Sequence, residues 1–328
     1  MSLKEILTMS SQIIIDEAKK NNFKTEIIDW GLNLFKIYFE KEKWVLFKNI
    51  DCWLNSSLSL KLSDNKKLTY KLLEEWKFIA KSLYFNLDKN ENIDINSLWL
   101  KLPLVVKPID ESHWNWVTTK IYNQESLDLG INESKKFSKN IVIQEFQKWI
   151  ETRILVINWK VIWAINREAA HIIWDWEKSI EELINIENKN PLRWEKDYTK
   201  PMNKIVINLE LEEFIKKQWF KKNNVLPKDK KLVLRWISNM WAWWISIDVT
   251  DEISEDIKKL AIDWTKKLWL IVAGVDIISN DFRKNFWKDN SAIILEINAT
   301  PSIILHHFPT VWKSRNAAKE ILELIKNK

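Results

Sequence analysis

Glycine is nearly missing from this chain. Only three of its 328 residues are glycine, Gly31, Gly130 and Gly274, where an ordinary protein carries about 7%. Cysteine is reduced to Cys52, which excludes a disulfide framework and suits a reducing compartment. The four histidines form no Cys/His cluster, which argues against a zinc site. No apolar run reaches the roughly 18 residues that would suggest a membrane span. The segment from Met1 to Lys20 has an amphipathic helical pattern with acids in it, unlike a signal peptide. These absences predict a cytoplasmic chain without a membrane partner. The net charge of +6 is spread along the sequence and lacks the clustering of a nucleic-acid footprint. It fits the general abundance of Lys, Asn and Ile, so no nucleic-acid partner is expected.

Tryptophan fills the gap. The chain has 22 of them, and together with the glycines they number about what a chain of this length carries as glycine. Their settings are those of turns: Trp53 follows Asp51-Cys52, Trp159 lies between Asn158 and Lys160, Trp174 and Trp176 flank Asp175, and Trp243-Trp244 is a doublet. Turns call on glycine because it reaches positive φ without steric cost. An indole instead needs an apolar slot with a partner for its N–H. The pattern is that of a gene in which UGA specifies glycine, translated with the standard code. The alternative is a chain that is Trp-rich as written, a binder of carbohydrate or aromatic ligands.

The order of elements predicts an α+β fold. A helix opens the chain, followed by a Lys-rich middle and the strand-like Trp44–Ile50. Residues 66–77 have helical period, and Leu102–Val106 and Ile141–Phe146 read as strands. Arg153–Ile157 and Val161–Ile165 pair as a hairpin around Asn158-Trp159, which is Asn-Gly under the recoded reading. Helices are expected over Glu177–Asn188, near 210–220, over Ile253–Leu268 and over Ser314–Lys326. Further strands are expected at Leu232–Arg235, Ile245–Val249, Ile271–Ile278 and Ala292–Ile297. Strands and helices mix without strict βαβ alternation, which separates α+β from α/β.

Four stretches carry chemistry. Lys107 ends a strand and is followed by His113-Trp114-Asn115-Trp116-Val117. With glycine at 114 and 116 this loop exposes backbone N–H groups that make a nest for phosphates. Glu296 and Asn298 lie two apart on a strand, so their oxygens share a face. Asp276 sits inside an apolar strand and needs a partner there. Three oxygen ligands from two strands suit Mg²⁺ held jointly with phosphates. Arg153 and Arg167 fall on neighbouring hairpin strands and can neutralise a phosphoryl group or acyl-phosphate. Arg235 opens a second loop, 235–244, that is glycine-rich under the recoded reading.

In this order the motifs resemble the ATP-grasp superfamily, above all the ATP-grasp region of the cyanophycin-synthetase type and next the glutathione-forming ligase module. The resemblance runs over about residues 62–326. It takes in the helix of Lys66 and Thr69, the Val106-Lys107-Pro108 strand, the 113–117 loop and Gln144-Glu145-Phe146. It continues through Glu151-Thr152-Arg153, Arg167-Glu168, Trp174-Asp175-Trp176, Asp248–Asp251, Ala273–Asp276 and Glu296–Pro301. Nearly every family glycine in these motifs falls on a written tryptophan.

The resemblance implies two α+β subdomains gripping ATP, after a short N-terminal segment of residues 1–60. The lid would span about 80–147 and the C-terminal subdomain about 148–328. ATP and two Mg²⁺ ions are the implied cofactors. Lys66, Lys107, His113, Trp114, Trp116, Glu145, Phe146 and Glu151 would bind the nucleotide. Asp276, Glu296 and Asn298 would hold metal, and Arg153, Arg167 and Arg235 would face the transferring charge. The implied partners are a carboxylate from an amino acid or peptide, and an amine; a homo-oligomer is left open. The resemblance ends before the family's Mur-ligase-like half, so its arginine-adding step is not expected. Ile237 and Trp241-Ala242 depart from the family's substrate loop. Another amino acid or peptide ligase of the glutathione or dipeptide type, and a nucleotide-binding module without activity, stay open beside the main reading.

Overall fold

The computed structural model describes residues 7–73, 78, 80–89, 92–109, 117–147, 150–194, 202–228, 230–234, 245–286, 292–311 and 313–328. His113, Trp114, Trp116 and Arg235 lie outside the described residues.

Thr8 caps the first helix, α1 (Met9–Lys20), its hydroxyl accepting from Ser11 N. Ile14, Ile15 and Ala18 form the buried face of α1. An antiparallel meander follows: β1 (Lys24–Asp29), β2 (Leu34–Tyr38) and β3 (Trp44–Lys48). Phe35 and Ile37 alternate inward on β2, and Phe35 stacks on Phe47 of β3 at 5.3 Å. Helices α2 (Ser57–Asp64) and α3 (Lys66–Leu73) lead out of this unit. The first two strands occupy the stretch that reads in sequence as a Lys-rich middle. Their outward positions carry charge, and only the inward residues of β2 are fully buried.

Four strands make the next sheet, in the order β4 (Ser82–Asn86), β7 (Asn140–Glu145), β5 (Leu104–Pro108), β6 (Thr118–Ile121), all antiparallel. Helix α4 (Gln124–Lys135) covers it, and Leu104, Val106, Ile121, Leu127, Ile141 and Ile143 form the core between them.

The larger sheet has five antiparallel strands: β8 (Ile150–Ile157), β9 (Lys160–Glu168), β14 (Ile245–Asp248), β15 (Val272–Ser279) and β16 (Ala292–Asn298). Their order is β14-β9-β8-β15-β16. Between β9 and β14 the chain builds a small unit with its own core: β10 (His171–Ile173), α5 (Ile180–Glu187), β11 (Arg193–Trp194), β12 (Met202–Asn203), α6 (Leu209–Lys216) and β13 (Lys231–Val233). Three helices finish the fold: α7 (Glu255–Lys267), α8 (Ile304–His307) and α9 (Ala317–Lys326).

The pleat divides the five-stranded sheet into two faces. Ile154, Val156, Ala164, Ala273, Val275 and Ile277 point to one side and pack on α7. Leu155, Ile157, Trp163 and Val272 point to the other, where they meet α1, α8 and α9. That second face changes character along the strands. Beyond Leu155 it presents Glu151, Arg153, Arg167, Asp276, Glu296 and Asn298. Among the described residues, no helix is long and apolar enough to cross a membrane.

Candidate active site

The register of three strands builds the site. Arg153 on β8 stands opposite Asp276 on β15, and Asp276 stands opposite Glu296 on β16. Gly274, two residues before Asp276, faces Asn298. A Cβ on Gly274 would lie 2.7 Å from Pro301 Cβ and 3.1 Å from Arg153 Cδ. Glycine is needed here because the Arg153 stem and the Pro301 ring close over the backbone.

Arg153 is buried and donates from Nε and Nη2 to both oxygens of Asp276, which is fully buried. The same Nη2 lies 3.9 Å from Glu296 Oε1. Arg167 donates from Nη1 to Glu151 at 2.7 Å and sits 3.7 Å from Asp276 Oδ2. Lys66, at the start of α3, places Nζ 3.6 Å from Glu296 Oε2. Lys107 on β5 is 5% exposed, among the charges of Lys66 and Glu296. The site thus gathers α3, the four-stranded sheet and the five-stranded sheet at one place. Tyr70 of α3 ties it further by donating to the Leu295 carbonyl on β16.

Charge sharing shifts the protonation equilibria. Burial pushes the Lys107 ammonium down to about 7, Lys66 lowers it further, and Glu296 opposes the shift. Burial also works against ionisation of Glu296, but Lys66, Arg153 and the Asn298 amide outweigh it and hold the carboxyl at about 2. Burial raises Asp276 above the ordinary carboxylate range, with Arg153 and Arg167 pulling it back and Glu296 repelling it. Glu151 is raised by burial as well, against the pull of Arg167. His306 of α8 is 2% exposed, and burial, then Arg153 and Arg167, lower its pKa to about 3. Its imidazole is therefore neutral.

Lys66, Lys107, Arg153, Arg167, Glu151, Asp276, Glu296 and Asn298 come together from sites up to 232 residues apart in sequence. Glu145 and Phe146 lie at the end of β7, where the chain leaves the smaller sheet. Glu145 Oε1 accepts from Lys101 N at 3.1 Å, and Phe146 N donates to Pro103 O at 2.8 Å. Both residues brace the 101–103 turn. Tyr70 was not singled out in the sequence, because a lone Tyr within an apolar pattern reads as core; the terminal His and Pro belong to the resemblance, which attaches no role to His306.

The donor set suits a hard cation. Asp276, Glu296 and Asn298 supply oxygens only, from adjoining strands, and the repulsion between the two carboxylates is what such an ion relieves. Arg153 already binds both oxygens of Asp276, so an ion at Glu296 and Asn298 would compete with a guanidinium for the third ligand. Among the described residues, no group of three or more His, Cys, Asp or Glu is arranged to hold a metal.

No family model matches the chain. Curated relatives do. Cyanophycin synthetase of Synechocystis sp. is 30% identical over 227 residues, covering 68% of this chain and 26% of that protein. The glutathione biosynthesis bifunctional protein GshAB of Clostridium perfringens is 29% identical over 327 residues, covering 98% of this chain and 42% of that protein. The chain thus spans less than half the length of either relative. Among solved structures, a bifunctional glutathione synthetase from Pasteurella multocida matches 98% of this chain and 44% of its own, with a TM-score of 0.75 at 24% identity. A D-alanine–D-alanine ligase from Bacillus anthracis matches 83% of this chain and 69% of its own, with a TM-score of 0.51 at 17% identity. In its fold, and in its sequence kinship with two groups of these ligases, the chain belongs to the ATP-grasp family.

Proposed function

We propose that the chain is an ATP- and Mg²⁺-dependent ligase that joins a carboxylate to an amine through an acyl-phosphate, in the manner of cyanophycin synthetase. The observation that carries this reading is the buried array of Lys66, Glu296, Arg153 and Asp276 beside Lys107. It concentrates cations where a polyphosphate would lie and leaves oxygen ligands beside them. A substrate carboxylate oxygen attacks the γ-phosphorus, and the bond between γ-phosphorus and the bridging oxygen breaks to release ADP. The amine nitrogen then attacks the acyl carbon, phosphate leaves and the nitrogen loses a proton.

In this reading Lys66 and Lys107 hold the phosphates, together with His113, Trp114 and Trp116. Glu145, Phe146 and Glu151 line the adenine and ribose side. Arg153, Arg167 and Arg235 face the phosphoryl and acyl-phosphate charge. Glu296, Asn298 and Asp276 are the residues that would hold two Mg²⁺ ions. Bound Mg²⁺ supplies charge neutralisation on the transferring phosphoryl group.

The test is ADP release by the protein, with MgATP and a panel of amino acids and dipeptides as acids and amines. Release that needs both an acid and an amine, with a product mass equal to their condensation, is expected. Absence of MgATP binding would overturn the reading. A second reading is favoured by one observation: the GshAB match extends through the N-terminal unit, whereas the cyanophycin synthetase match covers 68% of the chain. Under it the acid is a γ-glutamyl dipeptide and the amine is glycine, so γ-glutamylcysteine with glycine belongs in the panel.

A further inference from the structure

Half of the described tryptophans bend the backbone in a way that suits a residue without Cβ. Twelve tryptophans fall among the described residues, and six of them have positive φ: Trp53 (62°), Trp99 (53°), Trp159 (56°), Trp176 (82°), Trp219 (70°) and Trp269 (54°). Only a few per cent of residues other than glycine adopt that region, because Cβ crowds the backbone there. The other five non-glycine residues with positive φ are Lys120 and four asparagines, Asn22, Asn33, Asn49 and Asn158. Asparagine tolerates the region. None of the three glycines uses it. The conformation is thus carried by the bulkiest side chain, while glycine, its ordinary occupant, takes no share.

Hydrogen bonds show that these conformations belong to the fold. Trp219 and Trp269 close α6 and α7. After α6, Trp219 N donates to Lys216 O at 2.9 Å and Phe220 N to Ile215 O at 3.2 Å. After α7, Trp269 N donates to Lys266 O at 3.0 Å and Leu270 N to Thr265 O at 2.9 Å. Both pairs follow the helix-ending pattern whose left-handed residue is usually glycine. At the end of α1 the same pattern is made by Asn22 and Phe23, which donate to Lys19 O and Ala18 O at 2.9 Å. Trp159 is the second of two residues between β8 and β9, where Ile157 pairs with Lys160 and both Asn158 (49°) and Trp159 have positive φ. That two-residue turn favours Asn-Gly. Trp176 lies inside a turn that Asp175 wraps by accepting from Glu177 N at 3.2 Å and Lys178 N at 2.9 Å. Trp99 follows a 3₁₀ turn at Ile95–Ser97.

The indoles gain little at these places. Trp53, Trp99, Trp219 and Trp269 are 71–94% exposed. Trp159 has its Nε1 buried with no hydrogen-bond partner among the described residues, where an indole N–H needs one. Trp176 differs: its ring lies 4.2 Å from that of Trp174, and Lys228 Nζ sits 5.8 Å from its centroid. Those contacts hold a ring that is still largely exposed, and they leave the backbone at 82°.

We infer that Trp53, Trp99, Trp159, Trp176, Trp219 and Trp269 are glycine in the native protein, read from a gene in which UGA specifies glycine. The inference stands on the backbone and holds with or without the ligase reading. It also removes the exposed indoles on which a Trp-rich binder of carbohydrate or aromatic ligands would depend. Tandem mass spectrometry of the protein purified from its own source tests it, beside the sequence of the gene. Glycine is expected in the peptides that span the six positions, with UGA at all six codons. Tryptophan in any of these peptides, or UGG at any of these codons, would overturn the inference.

Discussion

Lys107 makes the site sensitive to pH. Its ammonium titrates at about 7 in the unliganded protein, and a bound polyphosphate favours the charged form. Binding of ATP should therefore take up a proton above neutral pH, and affinity should fall as pH rises past about 7. The unliganded fold behaves in the opposite sense. Between about 7 and the ordinary lysine range, the unfolded chain holds a proton that the folded chain lacks, so stability rises with pH. Calorimetry in buffers of different ionisation enthalpy measures the uptake. Lys107→Arg should keep binding and lose the pH dependence, whereas Lys107→Met should bind weakly throughout. Backbone strain is the other property set by single residues. Left-handed backbone costs a residue with a Cβ about 1–2 kcal/mol. In protein made with tryptophan, Trp159→Gly should raise unfolding free energy by about that amount, read from denaturant midpoints at constant slope. Gly274→Ala works the other way. Its Cβ meets Pro301 and Arg153, so it should cut ligase turnover by displacing the guanidinium from Asp276.

Asn55 joins three elements that the sequence shows only as separate pieces. Its amide nitrogen donates to Val272 O at 2.7 Å and Ala299 O at 2.8 Å, and its oxygen accepts from Ile271 N and Val272 N. Asn55→Ala would leave buried backbone groups unpaired at the start of β15 and after β16. It should cost about 2–3 kcal/mol, seen as a lower urea midpoint with unchanged slope. Such a clamp gives no pattern in sequence, since it depends on partners more than 200 residues away. Elements with a strong period were readable. The β8–β9 hairpin showed as two apolar runs around Asn158-Trp159, and β15 as the apolar run Ile271–Ile278 with Asp276 inside it. Strands β1, β2 and β4 did not show, because they are largely half-buried and carry polar residues between apolar ones. For the site, apolar context announced that Asp276 needs a partner. Only the register of β8 against β15 shows that Arg153 is that partner, and that Glu296 joins the same array.

At the scale of the whole molecule, the charge array is the point where two separately cored sheets meet. Three carboxylates, Glu151, Asp276 and Glu296, face Arg153, Arg167, Lys66 and Lys107. Only Lys107 comes from the smaller sheet, and α3 brings Lys66 from between them. A ligand that binds all four cations must therefore draw the two sheets and α3 into one unit. MgATP at about 100 times its dissociation constant should add about 2.7 kcal/mol to stability. Hydrogen exchange should slow in β5 and β7 as well as in β15 and β16. Glu296→Gln separates the contributions. It removes the carboxylate that neutralises Lys66, so nucleotide without metal should bind at least as well as in the unaltered protein. The added stabilisation by Mg²⁺ should be lost, because the remaining oxygens are an amide and a carboxylate already held by Arg153. A variant that keeps the full Mg²⁺-dependent gain in thermal midpoint would show that the metal is held elsewhere.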